Sequence, residues 1–294
     1  MGDSRHLISQ RAARIHDAKE AVRIGIVGKY FGSGKFILAD SYISVIESVK
    51  HAAAYWGVRP QIEWLDAEQF ERDRNAVKKL DGYGGIVVPG GFGSRGIEGK
   101  LRVIRHCREE KIPYFGLCYG MQLAVVELAR DILKLHKANT TEIDPTTKHP
   151  VIDIMPEQKK LMAENNYGGT MRLGAYPAVL GHGTIAREAY GKAKISERHR
   201  HRFEVNPAYI RKIEGAGAVF SGQSPDKRLM EIMELPRNVH PFFLGTQFHP
   251  ELKSRPLAPH PLFREFVKAA HARPRPRTMK EYLAGSEKPV SRKK

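Results

Sequence analysis

Residues 113–130, PYFGLCYGMQLAVVELAR, pass from a short apolar run into a helical pattern with no loop between them. Only Cys118 and Tyr119 stand at the join. A buried strand that feeds directly into a helix is the repeating unit of an open, doubly wound α/β sheet. The rest of the first half agrees. RIGIVG (Arg23 to Gly28) reads as a buried strand, and ADSYISVIESVKHAAAYW as a helix. In that helix Tyr42, Val45, Ile46, Val49 and Ala53 recur at spacings of three and four, so they share one face. PQIEWL and GGIVVPGG read as further strands, and LRVIRHCREE as a helix. The alternation predicts an α/β fold with an open, mostly parallel sheet of the flavodoxin-like kind.

The second half is less regular. YGGTMRLGAYPAVL, ERHRHRFEV, GAVFSGQS, LMEIMEL and FFLGTQFHPE read as strands or strand and loop, and PLFREFVKAA as a closing helix. No internal repeat is present. The pattern gives one domain, residues 22–270, between a linker or N-terminal extension at 1–21 and a tail at 271–294. The tail is Pro-rich and carries eight Lys/Arg against two Glu, so it is expected to be disordered. It supplies part of the +17 net charge. Such charge suits nucleotide phosphates or an acidic partner as well as a solvated surface.

Several classes are excluded or disfavoured. No run of about 18 apolar residues suggests a membrane span, and the N-terminus lacks a signal-peptide core. Two cysteines give no disulfide framework. A cytoplasmic setting is expected. YFGSGKF looks like a phosphate loop but fails in spacing. Five residues separate Gly28 from Gly34 where the loop requires four, and Phe36 stands at the Ser/Thr position. His199 and His201 in RHRHR invite a metal reading, but three interleaved arginines would repel a cation.

Cys118 sits on the strand-to-helix turn between Gly116 and Gly120. That is the arrangement of a nucleophile elbow with Cys in place of Ser. The glycines are expected to permit a tight, strained turn. The helix N-terminus favours thiolate and presents N–H groups to an oxyanion. Cys107, mid-helix, has no such surroundings and reads as structural. A nucleophilic thiol needs a base. His249 ends the apolar run FFLGTQF, and Glu251 follows two residues later. If strand geometry persists, both side chains share a face and Glu251 orients His249. The glycine pair of VPGGFG lets backbone N–H groups approach a ligand, so one of them with the Tyr119 N–H can form an oxyanion hole.

PGG, then G-x-C-x-G-x-Q, then a distant H-P-E together resemble the class I, triad-type glutamine amidotransferases. KANTTEI, YGGTMRLGA, ERHRHRFEVN and QFHPELKSRP further resemble the glutaminase half of CTP synthases, over nearly all of residues 22–270. The resemblance implies Cys118 as the nucleophile of a glutamyl thioester, His249 as base and then acid, and Glu251 as its orienter. It places Gly91, Tyr119, Gly120, Met121 and Gln122 around the glutamine and its oxyanion. It gives Glu142 to the substrate's ammonium and Arg202 to glutamine binding, pairings that make chemical sense. Arg172 falls in a segment linked with GTP as an effector.

Tyr119 stands where that family usually has Leu. The resemblance implies L-glutamine as substrate and no cofactor or metal in this domain. ATP, Mg and UTP belong to an amidoligase half. Barely twenty residues precede the first strand, so that half is expected to be absent here, and the chain reads either as an excised domain or as a separate subunit working with a second chain. Two other readings remain. One is a standalone hydrolase of another γ-glutamyl amide, motivated by Tyr119. The other is a regulatory binding protein, motivated by the basic charge.

Overall fold

The computed structural model describes residues 18–28, 42–91, 93–154 and 171–274. The predicted extension up to residue 17, the glycine-rich turn at 30–36, the tail from residue 275 and the YGGT part of YGGTMRLGA lie outside them.

The first half winds as its apolar pattern dictates. Strand β1 (Ala21–Gly28) leads to helix α1 (Ile43–Trp56), β2 (Arg59–Asp66), a short helix α2 (Ala67–Arg72) and a 3-10 stretch (Arg74–Gly82). Strand β3 (Gly85–Val88), helix α3 (Ile97–Glu109), β4 (Tyr114–Leu117) and helix α4 (Tyr119–Asp131) follow. Gly57 ends α1 in the left-handed region at φ 67°, where its N–H reaches the carbonyls of Ala53 and Ala54. The short strands β5 (Ala138–Thr140) and β6 (His149–Ile154) come next, then β7 (Arg172–Leu180), helix α5 (Ile185–Tyr190), β8 (Lys194–His201) and β9 (Phe203–Val205). The chain continues through helix α6 (Pro207–Gly215), β10 (Val219–Gln223), β11 (Met230–Leu235), β12 (Phe243–Thr246), a 3-10 turn (Pro250–Leu252) and helix α7 (Pro261–Ala272).

Among the described residues the main sheet runs β2-β1-β3-β4-β12-β11-β10-β7-β8. The five strands from β2 to β12 are parallel to their neighbours. From β12 outward the sheet continues antiparallel. Side chains alternate between two cores, as the period of two requires. Val27, Ile86, Val88, Tyr114 and Phe243 pack on one face with α3 and α4. Ile24, Ile26, Val87, Phe115 and Leu117 pack on the other with α1 and α7. The α/β, doubly wound architecture is the one the alternation predicts.

ERHRHRFEV reads as one strand but is two. β8 joins the main sheet beside β7, whereas β9 pairs with β6 in a three-stranded sheet. The break falls at Arg202, which therefore sits at a corner between sheets. The carboxyl ends of β3, β4 and β12 open on one side, where an open α/β sheet holds its ligands.

Candidate active site

A cavity of about 670 Å³ lies at those carboxyl ends, within the size range of small-molecule sites. Cys118 stands at its floor. The Cys118 N–H donates to Thr246 O across 2.6 Å, which ties the end of β4 to the end of β12. Cys118 itself takes φ 49° and ψ −97°. The strain of the turn is thus carried by the cysteine, at a cost of roughly 1–3 kcal/mol. The flanking glycines, expected to permit the strained turn, do not themselves take a positive φ. They serve a different need, which is close approach. A Cβ on Gly120 would overlap the Val88 carbonyl oxygen, and one on Gly116 would lie 2.7 Å from the Gly120 carbonyl carbon. The elbow is pressed against β3, and only hydrogen fits at the contact.

His249 and Glu251 meet, but not as strand neighbours. Pro250 has no N–H for a ladder and opens a 3-10 turn at Pro250–Leu252. The turn, rather than an extended strand, brings Glu251 Oε1 to 2.7 Å from His249 Nδ1. Strand β8 braces it from outside: the His249 N–H donates to Arg198 O across 2.8 Å, and Lys253 Nζ donates to Ser196 O across 2.5 Å. Burial opposes a charged imidazolium here. Hydrogen bonds to Cys118 and Glu251, and their charges, outweigh it and raise His249 to about 10. A thiol, an imidazole and a carboxylate are therefore linked in series, an arrangement suited to nucleophilic attack and proton transfer. Cys107 is the contrast: it is fully buried, and burial pushes its thiol far up.

The loop after β3 closes over this pair. A Cβ on Gly90 would come within 2.9 Å of His249 Cε1 and 3.7 Å of Cys118 Cβ, whereas Gly91 faces open space in the cavity wall. Gly93 is held from both sides. Its N–H donates to Glu142 Oε1 at 3.2 Å, and its carbonyl accepts from the Tyr119 hydroxyl at 3.0 Å.

Of the predicted substrate residues, Gly91, Tyr119, Gln122, Glu142 and Arg202 line the cavity with Cys118, His249 and Glu251. Gly120 and Met121 do not. Met121 is buried and packs on Gly245, which leaves only the backbone of these two residues for the site. Arg172 lies inward. Its guanidinium sits 2.7 Å from Glu231 and 3.5 Å from Glu204, over the Tyr176 ring. Two neighbours, Gln247 and the Arg200 carbonyl, stand outside the predicted set, and His201 has a place here other than the metal site RHRHR invites. Gln247 Nε2 donates toward Cys118 Sγ at 3.7 Å, the Arg200 carbonyl lies 4.0 Å from that sulfur, and His201 lines the cavity. Gln247 precedes His249 by two residues, a spacing that could have pointed to it.

The sequence profile of the family "Glutamine amidotransferase class-I" matches residues 37–269. The chain belongs to the class-I glutamine amidotransferases. A solved relative, the glutaminase domain of Trypanosoma brucei CTPS with bound acivicin, superposes on the amidotransferase with a TM-score of 0.77 at 37% identity. That match covers 85% of this chain and 94% of the other. The amidotransferase is also 52% identical to the CTP synthase of Rubrobacter xylanophilus over 256 residues, and 53% identical to that of Thermococcus kodakarensis over 252. These alignments take in 87% and 85% of this chain but only 44% and 45% of the relatives. The amidotransferase thus spans less than half the length of the curated proteins it matches, and it is homologous to the glutaminase domain of CTP synthase.

Proposed function

We propose that this chain hydrolyses L-glutamine to glutamate and ammonia for an amidoligase half that converts UTP to CTP with ATP and Mg. The observation that carries the reading is the Cys118, His249 and Glu251 series at a cavity that also presents Glu142 and Arg202. The carboxylate of Glu142 suits the α-ammonium of an amino acid, and the guanidinium of Arg202 suits its carboxylate.

With its proton on His249, the sulfur of Cys118 attacks the side-chain amide carbon. A C–S bond forms, and negative charge gathers on the amide oxygen. Backbone N–H groups of the glycine loop and of Tyr119, at the start of α4, are the donors that meet it. His249 then gives its proton to the departing nitrogen, the C–N bond breaks, and ammonia leaves a glutamyl thioester. Water, deprotonated by His249, cleaves that thioester to glutamate. Glu142 also holds the Gly93 N–H, so recognition of the substrate's amino group is coupled to the placement of the loop.

Arg172 has its guanidinium engaged by Glu231. Any response to GTP would pass through that internal pair. The amidotransferase is expected to act in the cytoplasm, and among the described residues no helix is long and apolar enough to cross a membrane.

The deciding assay is glutamate release from glutamine by wild type and by Cys118→Ser, alone and with a CTP synthase amidoligase half, UTP and ATP. Release that requires Cys118 and rises with the partner supports the proposal. Undiminished release from Cys118→Ser would remove it.

A further inference from the structure

Residues 246 and 247, just past the end of β12, grip Cys118 by both its backbone and its side chain. The Thr246 carbonyl accepts the Cys118 N–H at 2.6 Å, and Gln247 Nε2 lies 3.7 Å from Sγ. The Gln247 backbone is itself pinned, its N–H donating to Glu231 O across 2.8 Å. Its side chain is fully buried. The triad chemistry above gives that side chain no task.

A chain of partners fixes which end of the amide meets the sulfur. The Phe203 carbonyl can only accept, so the Gln122 atom 2.9 Å from it is the Nε2 amino group. That same amino group lies 3.3 Å from the Gln247 amide, so the atom facing it there is the acceptor Oε1. Gln247 Nε2 is thereby turned to the sulfur. Gln122 is 2% exposed and Gln247 0%. Neither amide can turn over without setting donor against donor or acceptor against acceptor in a buried place. The relay starts at Phe203, next to Arg202 at the corner between the two sheets, and ends at the nucleophile. At the sulfur two neighbours pull in opposite senses. The Arg200 carbonyl, 4.0 Å away, is an acceptor and favours the thiol. The Gln247 N–H is a donor and favours the thiolate.

We propose that Gln247 is a further catalytic residue, donating its amide N–H to the Cys118 sulfur while that sulfur is an anion, and that Gln122 is the positioning residue that aims it. This deepens the glutaminase reading and rests on it. The sulfur is anionic twice in the cycle. It is so before its electron pair attacks the amide carbon. It is so again after water, its proton taken by His249, has added to the thioester carbon and the C–S bond breaks, returning the pair to sulfur. The donor is strongest at those two points and weakest in the neutral thioester between them. The Gln122 amino group is spent on Phe203 and Gln247, so its part in catalysis runs through the sulfur.

The test reads the thiolate-to-thiol ratio of Cys118 in the full chain, without glutamine, from ultraviolet thiolate absorbance. Each protein is compared with its own Cys118→Ser counterpart, so that Cys107 and the tyrosines cancel. At the pH where wild-type Cys118 is half ionised, Gln247→Met, which keeps the bulk and removes the donor, should lower the ratio about tenfold, the loss of one hydrogen bond to a charged group. Gln122→Met, which leaves the donor but frees its aim, should lower it about threefold. The double variant should match Gln247→Met alone, because both changes act on one bond. An unchanged or raised ratio in Gln247→Met would overturn the proposal in favour of a packing role. A double variant in which the two falls multiply would overturn the relay. Should Gln247→Met not fold, Gln122→Met carries the test, and an unchanged ratio there would overturn the proposal. Absence of glutamate release from wild type, with and without the amidoligase half, while the thiolate pattern holds, would instead remove the glutaminase reading and leave the donor in place.

Discussion

The Tyr119 hydroxyl donates to the Gly93 carbonyl across 3.0 Å, so the first residue of the helix behind the nucleophile anchors the glycine loop. The ring is 1% exposed, with the Lys100 ammonium 5.4 Å from its centroid. Burial pushes the phenol far above its ordinary range, so it remains a donor at every working pH. Tyr119→Phe keeps the ring and removes the bond. A hydrogen bond of this kind contributes about 1 kcal/mol. The variant should fold normally and lose about fivefold in kcat/KM for glutamine. Glutamate release kinetics beside a thermal melt would check both halves of that statement.

Two glycines separate stability from activity. Gly120 has no room for a methyl group against the Val88 carbonyl, whereas a methyl group on Gly90 would meet the movable ring of His249. Gly120→Ala should therefore destabilise the fold by about 1–3 kcal/mol, the usual penalty of overpacking. Gly90→Ala should leave the melting temperature nearly unchanged and lower kcat by displacing His249. Urea unfolding and steady-state kinetics on both variants would show whether the effects divide in this way.

The elbow and the histidine were legible because each sits where an apolar run stops, and the chemistry of Cys118 and His249 needs no distant information. What escaped was tertiary. RHRHRFEV has a uniform polar alternation, so nothing local marks Arg202 as the corner where β8 leaves the main sheet and β9 joins another. The short strands β5 and β6 are only three and six residues long, and β5 offers a single apolar side chain, Ala138. Tyr119 looked like a change in the substrate pocket. Its role in holding Gly93 depends on a loop 26 residues earlier in sequence. The sequence puts Cys118 on a strained turn, but that the cysteine itself takes φ 49° depends on how closely β3 lies beneath α4.

His240 gives the fold an acid-sensitive joint. It is 1% exposed, its Nε2–H donates to Cys107 O at 3.0 Å, and its Nδ1 accepts from the Phe242 N–H at 3.2 Å. Both nitrogens are satisfied only in the neutral ring. Burial is the main cause that lowers it from the ordinary value to about 4. Below about 6.5 the unfolded chain takes up a proton that the folded one refuses until about 4. Stability is thus complete above that window and falls as the pH drops through it, by about 3 kcal/mol. Urea unfolding at the two ends of the window should show a smaller difference in His240→Gln, which keeps a donor and an acceptor without the titration.

The His249 pair behaves in the opposite sense. Its imidazole is raised to about 10 despite burial, because Cys118 and Glu251 favour the charged form. A folded value above the unfolded one gives stability that is full below about 6.5 and is lost as pH rises through about 10. The same protonated ring is the acid that ammonia needs on departure. The alkaline limb of kcat/KM for glutamine should accordingly fall near 10, as a property of the coupled Cys118–His249 pair. Glu251→Gln removes the carboxylate 2.7 Å from Nδ1 while keeping an acceptor oxygen. The ring should then stay oriented but lose charge stabilisation, and the limb should move to lower pH by about one unit. A pH profile of glutamate release for both proteins decides the matter. A limb that does not move in Glu251→Gln would mean that Glu251 only orients the ring and does not sustain its charge.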